Sequence, residues 1–164
     1  MGDVLKNVEI HTDGACSCNP GPGGWAAILL YNGKEKICSG GEPATTNNRM
    51  ELMAAIQGLK MLNQCCNVTM FSDSAYMINA LEKGWLEKWR LNSWKTTGKD
   101  DVKNRDLWEE LALLCKRHVI TWNKVKGHSD NEFNNRCDES ARAEIIKITG
   151  KTNGAVEENE DPAK

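Results

Sequence analysis

Four acidic residues occupy positions in the sequence where carboxylates could meet. Asp13 and Asp73 each end a segment with the pattern of a β-strand. Glu51 lies on the small-residue face of a predicted helix, and Asp138 follows Cys137 in the last predicted helix. Strand ends of an α/β sheet are where sites commonly form. Taken singly, each acid could equally be a helix cap or a solvated turn residue. The four acids together indicate a site more strongly than any one of them does.

Carboxylates gathered in one dry site favour a particular chemistry. They repel one another, and their pKa values rise unless cations are bound. A set of oxygen ligands suits Mg²⁺ or Mn²⁺ rather than zinc. Two such ions about 4 Å apart can stabilise the attacking and the leaving oxygen of an in-line phosphoryl displacement. The four acids therefore indicate metal-assisted hydrolysis of a phosphodiester.

The first part of the chain has the pattern of three strands. Residues 8–13 alternate with the period of a half-buried strand. Residues 14–24 are rich in glycine and proline and predict a loop. The segments 25–31 and 34–39 flank an Asn-Gly pair at 32–33, a strong signal for a two-residue hairpin turn. We expect a three-stranded antiparallel meander.

Helical and strand patterns alternate along the rest of the chain. A helix is predicted over 49–62, and its small-residue face would let it lie close to a sheet and hold Glu51 near that sheet. The later segments predict a strand at 68–71, helices at 75–83 and 85–91, a helix around 107–114, a strand at 118–125 and a helix through 137–148. This order predicts one α/β domain with a mixed sheet.

Composition excludes several classes of protein. The 164 residues are 40% hydrophobic and 27% charged, which is typical of a globular protein. The longest apolar run is far shorter than the roughly 20 residues of a membrane helix, and no signal peptide is visible. Seven cysteines without a regular framework predict free thiols. We expect a cytoplasmic protein, with an acidic, disordered tail over residues 150–164.

Half of the tryptophans lie in a mildly basic stretch. Residues 82–103 contain six basic and four acidic residues, interleaved with Trp85, Trp89 and Trp94. This pattern suits stacking along a nucleic-acid strand. It equally suits an amphipathic helix that packs its tryptophans into a core, and the sequence alone leaves both interpretations open.

Nine short motifs follow one another in a distinctive order. In one-letter code they are TDGA at 12–15, NPGPGGW at 19–25, TNNRMEL at 46–52, SDS at 72–74, WK at 94–95, VKN at 102–104, DLW at 106–108, VKGH at 125–128 and NxxCD at 134–138. In order and spacing, over roughly residues 4–146, they resemble cellular (bacterial-type) type 1 ribonuclease H. The resemblance implies a ribonuclease H-like α/β fold, a five-stranded mixed sheet flanked by helices, with residues 1–149 as the catalytic domain.

The resemblance also implies an activity. It is that of an endonuclease which hydrolyses the RNA strand of RNA–DNA hybrids and leaves 5′-phosphate and 3′-hydroxyl ends. Asp13 would bridge two Mg²⁺ ions, for which Mn²⁺ would substitute, and Glu51 and Asp73 would complete one metal site. Asp138 would complete the other. His128 would assist proton transfer or product release, although a lone histidine in a polar loop is otherwise an ordinary surface residue.

Substrate contacts are implied in the same way. Asn19 and Asn47 would contact the duplex in the minor groove, where RNA is identified by its 2′-hydroxyls. Thr46 and Asn104 would grip a phosphate of the DNA strand, and Trp85 would lie along its sugar-phosphate backbone. Each asparagine could instead be a turn or capping residue, and both roles are compatible.

Residues 85–103 correspond to the basic protrusion, or handle, of the family. Here acidic residues offset much of its charge, which predicts weaker hybrid binding. The expected partner is an RNA–DNA hybrid duplex, with no membrane, no obligate protein partner and a monomeric enzyme. Two alternatives are a non-catalytic binding module on the same fold, which would have lost metal ligands, and a transposase- or resolvase-type nuclease acting on DNA. The asparagine-rich motif and the tryptophan-bearing handle argue against the second.

Overall fold

The computed structural model describes residues 5–96, 98–126 and 131–150. Two predicted features, His128 and the tail beyond Gly150, lie outside these described residues. The strands are β1 (Lys6–Cys16), β2 (Gly21–Tyr31), β3 (Lys34–Thr45), β4 (Cys66–Ser72) and β5 (Val119–Lys124). The helices are α1 (Asn47–Lys60), α2 (Ala75–Glu82), α3 (Trp85–Leu91), α4 (Arg105–Arg117) and α5 (Glu132–Thr149).

The strands form one five-stranded mixed sheet in the order β3-β2-β1-β4-β5. The β1–β2 and β2–β3 pairs are antiparallel, whereas β1–β4 and β4–β5 are parallel. The expected fold class, an antiparallel meander with two further strands and flanking helices, is confirmed. Because β1 and β4 run in the same direction, their carboxyl ends meet at one edge of the sheet.

The turn between β2 and β3 has the predicted form. Asn32 and Gly33 both have positive φ, 52° and 78°. Two successive positive φ angles make a turn whose twist matches that of the flanking strands, and Asn-Gly is the pair that adopts it most readily. The predicted two-residue hairpin is therefore confirmed.

The predicted loop over residues 14–24 is mostly wrong. β1 continues to Cys16 and β2 begins at Gly21, so only residues 17–20 lie between the two strands. The glycines in this segment permit close packing by the helices instead of forming a loop. A Cβ on Gly24 would lie 2.1 Å from the carbonyl oxygen of Ala141 in α5.

The sheet is covered on both faces. On one face, α1, α2 and α4 enclose the larger core, which includes Ile10, Leu52 and Trp108. On the other face, α5 packs Cys137, Ala141 and Ile145 against Ala26 and Ile28. None of the helices within the described ranges is long and apolar enough to cross a membrane.

The small-residue face of α1 packs closely on the sheet, as predicted. A Cβ on Gly58 would lie 2.8 Å from Cγ2 of Ile10 and 3.2 Å from Cβ of Ala27. Since such distances are shorter than normal contacts, only glycine fits here without moving the helix. This packing sets how closely the last turns of α1 approach β1 and β2.

Candidate active site

Two of the four predicted carboxylates are placed by neighbouring parallel strands. His11 in β1 pairs with Phe71 in β4, and the paired region ends there. Asp13 and Asp73 each lie two residues further along, so they are level with each other beyond the paired region. One detail of the prediction is wrong, because Asp13 does not end its strand: β1 continues to Cys16, paired with β2.

The third carboxylate comes from the start of α1. The hydroxyl of Thr46 caps this helix by accepting a hydrogen bond from the backbone nitrogen of Arg49 at 3.2 Å. The first turn then passes over Gly14, where a Cβ would lie 2.5 Å from the backbone nitrogen of Glu51. The absence of a side chain at Gly14 therefore lets Glu51 lie beside Asp13.

The three carboxylates form one cluster. One carboxylate oxygen from each of Asp13, Glu51 and Asp73 lies within 4.8 Å of the others. Asp13 is 3% exposed and Glu51 is 5% exposed. Oδ1 of Asp13 accepts a hydrogen bond from the backbone nitrogen of Gly14 at 2.9 Å. Oε1 of Glu51 is buried and has no hydrogen-bond partner among the described residues.

The electrostatics of this cluster favour a bound cation. Burial, followed by the charges of Asp73 and Asp138, raises the pKa of Asp13 to about 9. Burial, followed by the charges of Asp13 and Asp73, also raises the pKa of Glu51 well above its ordinary value. A buried polar atom without a partner is costly, and a hard divalent cation would satisfy it and remove the repulsion. The donor set therefore fits Mg²⁺ or Mn²⁺.

Asp138 lies at the side of this cluster. The thiol of its neighbour Cys137 donates to the carbonyl oxygen of His11 at 3.2 Å, which fixes this turn of α5 against β1. Asp138 is close enough to raise the pKa of Asp13, but it is not among the three carboxylates within 4.8 Å. Its Oδ2 instead lies 3.5 Å from Nη1 of Arg142. The structure thus brings three predicted ligands together and places the fourth beside them.

Asn19, Thr46 and Asn47 lie together at the start of α1. Oδ1 of Asn19 accepts a hydrogen bond from the backbone nitrogen of Asn47 at 3.0 Å, which ties the β1–β2 connection to the helix. Thr46 caps α1. Asn19 therefore has a structural role of the kind that the sequence left open, and Thr46 is the N-cap of α1.

Arg49 connects this group to Asn104, a contact that the sequence analysis missed. Nη1 of Arg49 donates to Oδ1 of Asn104 at 3.3 Å. The guanidinium also pairs with both carboxylate oxygens of Asp106, at 3.0 and 2.7 Å. Nδ2 of Asn104 donates to the hydroxyl of Tyr76 at 3.0 Å. The available signal was the position of Arg49 one turn after Thr46 in the same motif.

The two interpretations of the tryptophan-rich stretch apply to different residues. Trp94 is only 8% exposed and belongs to the core, and Trp89 packs against Trp108 with ring centroids 5.4 Å apart. Trp85 is 39% exposed, with Nζ of Lys83 5.4 Å from its ring centroid. A groove of about 440 Å³ runs past it, lined by Trp85, Lys88, Trp89, Asn92, Lys95 and Thr96. Trp85 is therefore the most exposed of the three tryptophans in this stretch.

Sequence comparisons agree on one family. Residues 5–146 match the family model described as RNase H. The chain is 58% identical over 147 residues to the ribonuclease H of Acetivibrio thermocellus, an alignment that covers 90% of this chain and 100% of that protein. It is 60% identical over 140 residues to the ribonuclease H of Caldanaerobacter subterraneus subsp. tengcongensis, covering 85% of this chain and 92% of that protein.

Solved structures show the same fold. LC9-RNase H1, described as a type 1 RNase H with the type 2 active-site motif, has a TM-score of 0.77 at 24% identity, covering 94% of this chain and 78% of that one. LC11-RNase H1, solved in complex with an RNA/DNA hybrid, has a TM-score of 0.67 at 21% identity, covering 87% of this chain and 99% of that one.

Proposed function

Because this chain belongs to the RNase H family, we propose that it hydrolyses the RNA strand of RNA–DNA hybrids by two-metal-ion catalysis. Cleavage would leave 5′-phosphate and 3′-hydroxyl ends. A structural neighbour was solved with an RNA/DNA hybrid, which supports the choice of substrate. The observation that carries the mechanism is the buried Oε1 of Glu51, which has no hydrogen-bond partner among the described residues and lies in a cluster with Asp13 and Asp73.

The carboxylates divide between two ions in this proposal. Asp13, Glu51 and Asp73 would hold one Mg²⁺ ion, Asp13 and Asp138 would hold the other, and Mn²⁺ would substitute. Metal bound there would supply an activated water and charge stabilisation for the phosphate. The protein's own contribution is a fixed set of negative charges, of which those on Asp13 and Glu51 are buried. Burial would make the interaction of these two carboxylates with a cation stronger than it would be in solvent.

The surrounding polar residues orient the hybrid. Asn19 and Asn47 supply donors and acceptors to the RNA 2′-hydroxyls in the minor groove. Thr46 and Asn104 bind a phosphate of the DNA strand, and Arg49 holds Asn104 in place through the 3.3 Å hydrogen bond. Trp85 stacks along the DNA sugar-phosphate backbone. His128, outside the described residues, assists proton transfer or product release.

We place the enzyme in the cytoplasm as a monomer, without an obligate protein partner or a membrane. Residues 1–149 are proposed as the catalytic domain, and residues 150–164 as an acidic tail. The left-handed Gly150, with φ of 68°, ends α5 at this boundary.

A substrate panel tests the proposal. Labelled RNA–DNA hybrid, RNA duplex and DNA duplex are incubated with the enzyme in Mg²⁺ and in chelator, and product ends are identified by their reactivity with kinase and phosphatase. We expect cleavage of the RNA strand of the hybrid alone, only with metal, with 5′-phosphate ends. Cleavage of the DNA duplex would indicate a DNA nuclease of the wider fold, and binding without cleavage would indicate a non-catalytic module.

A further inference from the structure

Asp138 has a cationic neighbour on its own helix. Nη1 of Arg142, one turn further along α5, lies 3.5 Å from Oδ2 of Asp138. Among the described residues, Asp13, Glu51 and Asp73 form no ion pair with any lysine, arginine or histidine. The guanidinium of Arg142 therefore contacts Asp138, the carboxylate that lies beside the three-residue cluster.

We propose that Arg142 is a positioning residue that competes with the second divalent ion for Asp138 and thereby sets the affinity for that ion. This inference rests on the proposed function, which makes Asp138 a ligand. Arg142 orients the carboxylate before an ion binds, and an ion at Oδ2 would displace the guanidinium from that oxygen. The occupancy of the second site then depends on the balance between guanidinium and metal.

The geometry supports competition rather than a fixed structural pair. The two side chains are both partly exposed, and the contact is at the long end of the range for an ion pair. Pairs four residues apart on a helix with such geometry are weak. A divalent ion that binds the same carboxylate would therefore break only a weak ion pair. The positive charge of Arg142 nevertheless repels a cation bound at Asp138, since the two positive charges would lie close to the same carboxylate.

Arg136 provides a matched control on the same helix. Its guanidinium pairs with both carboxylate oxygens of Glu35 in β3, at 2.9 and 3.0 Å, rather than with Asp138. Arg136→Gln therefore removes one positive charge from α5 without touching the proposed ligand. Arg142→Lys retains the charge but loses the planar fork of the guanidinium.

The experiment measures Mn²⁺ binding by titration calorimetry and by the electron paramagnetic resonance signal of free Mn²⁺. The variants are Arg142→Gln, Arg142→Lys, Arg136→Gln and Asp138→Asn, each checked for folding by circular dichroism. We expect Arg142→Gln to tighten the weaker Mn²⁺ site by about three- to tenfold. Arg142→Lys should give a smaller change, and Arg136→Gln should match the parent protein. The Mg²⁺ concentration for half-maximal cleavage should fall in Arg142→Gln while the KM for hybrid stays constant.

The outcomes separate this inference from the function on which it rests. If Asp138→Asn leaves Mn²⁺ binding unchanged, Asp138 is not a ligand and the two-ion assignment itself fails. If Asp138→Asn weakens binding but Arg142→Gln does not tighten it, the two-ion assignment stands and the role of Arg142 is wrong. Should Arg142→Gln fail to fold, Arg142→Met removes the same charge, and parental Mn²⁺ affinity in that variant overturns the inference.

Discussion

Gly14 lies directly beneath the first turn of α1, and a Cβ on Gly14 would stand 2.5 Å from the backbone nitrogen of Glu51. The same Cβ would lie 2.5 Å from the carbonyl carbon of Met50. Both neighbours are backbone atoms, so they cannot move aside without moving the helix. The position of Glu51 beside Asp13 therefore depends on a glycine at residue 14 of β1.

Gly14→Ala should consequently damage both stability and metal binding. The methyl group forces α1 away from β1, which we expect to cost about 1–3 kcal/mol of unfolding free energy. It should also weaken Mg²⁺ binding, because Glu51 moves with the helix. Thermal denaturation and calorimetry measure the two effects.

The control for this change is Gly98→Ala. The nearest heavy atom to a Cβ at Gly98 is 3.8 Å away, so the methyl group meets no clash. This variant should retain the melting temperature and Mg²⁺ affinity of the parent. A Gly14→Ala protein that binds Mg²⁺ as tightly as the parent would contradict the packing argument.

The glycines of residues 14–24 do not form the loop that local composition predicts. Glycine and proline over residues 14–24 suggested a loop, yet β1 and β2 extend into that segment. The glycines at 14 and 24 are required because α1 and α5 pack closely against them. Local composition does not reveal this requirement, since both helices come from other parts of the chain. Where the requirement was local, as in the turn at Asn32 and Gly33, the prediction was confirmed.

In the absence of metal, stability should fall as the pH rises. Native Asp13, with a pKa raised to about 9, retains a proton that the unfolded chain releases near pH 4. Since the native state then binds more protons, the free energy of unfolding decreases between these two pH values. Mg²⁺ should raise the melting temperature at pH 8 and have little effect at pH 5, where protons compete with it.

Chemical denaturation across pH, in chelator and in Mg²⁺, measures this dependence. Asp13→Asn serves as the comparison, because the amide removes one of the repelling charges and should flatten the metal-free pH profile. If the parent protein were equally stable at pH 5 and pH 8 without metal, the carboxylates would not repel one another as described.

Trp85 and Trp94 should respond differently to replacement by alanine. Trp85→Ala removes a partly exposed ring and should weaken hybrid binding by roughly 1–3 kcal/mol with little change in melting temperature. Trp94→Ala opens a cavity in the core and should cost roughly 3–5 kcal/mol of stability. Steady-state KM and thermal denaturation distinguish them. An unchanged KM in Trp85→Ala would show that this ring does not contact the hybrid.

The candidate site was predictable in part because its residues lie in recognisable motifs. The sequence predicted the cluster of Asp13, Glu51 and Asp73, since parallel strand ends and a small-residue helix face bring distant residues together. It did not predict the contacts of Arg49 and Arg142. Both depend on side-chain reach between neighbouring turns or elements, which the pattern of residue types does not determine.

Cleavage of an RNA–DNA hybrid by Asp13→Asn tests the central claim most directly. Single-turnover cleavage of the labelled RNA strand is measured in Mg²⁺ for the parent and the variant, with hybrid binding measured in parallel. The loss of the carboxylate shared by both proposed metal sites should slow cleavage by about 10³-fold or more, equivalent to several kcal/mol, while binding changes only slightly. Cleavage by Asp13→Asn within tenfold of the parent rate would contradict the assignment of this cluster as the catalytic metal site.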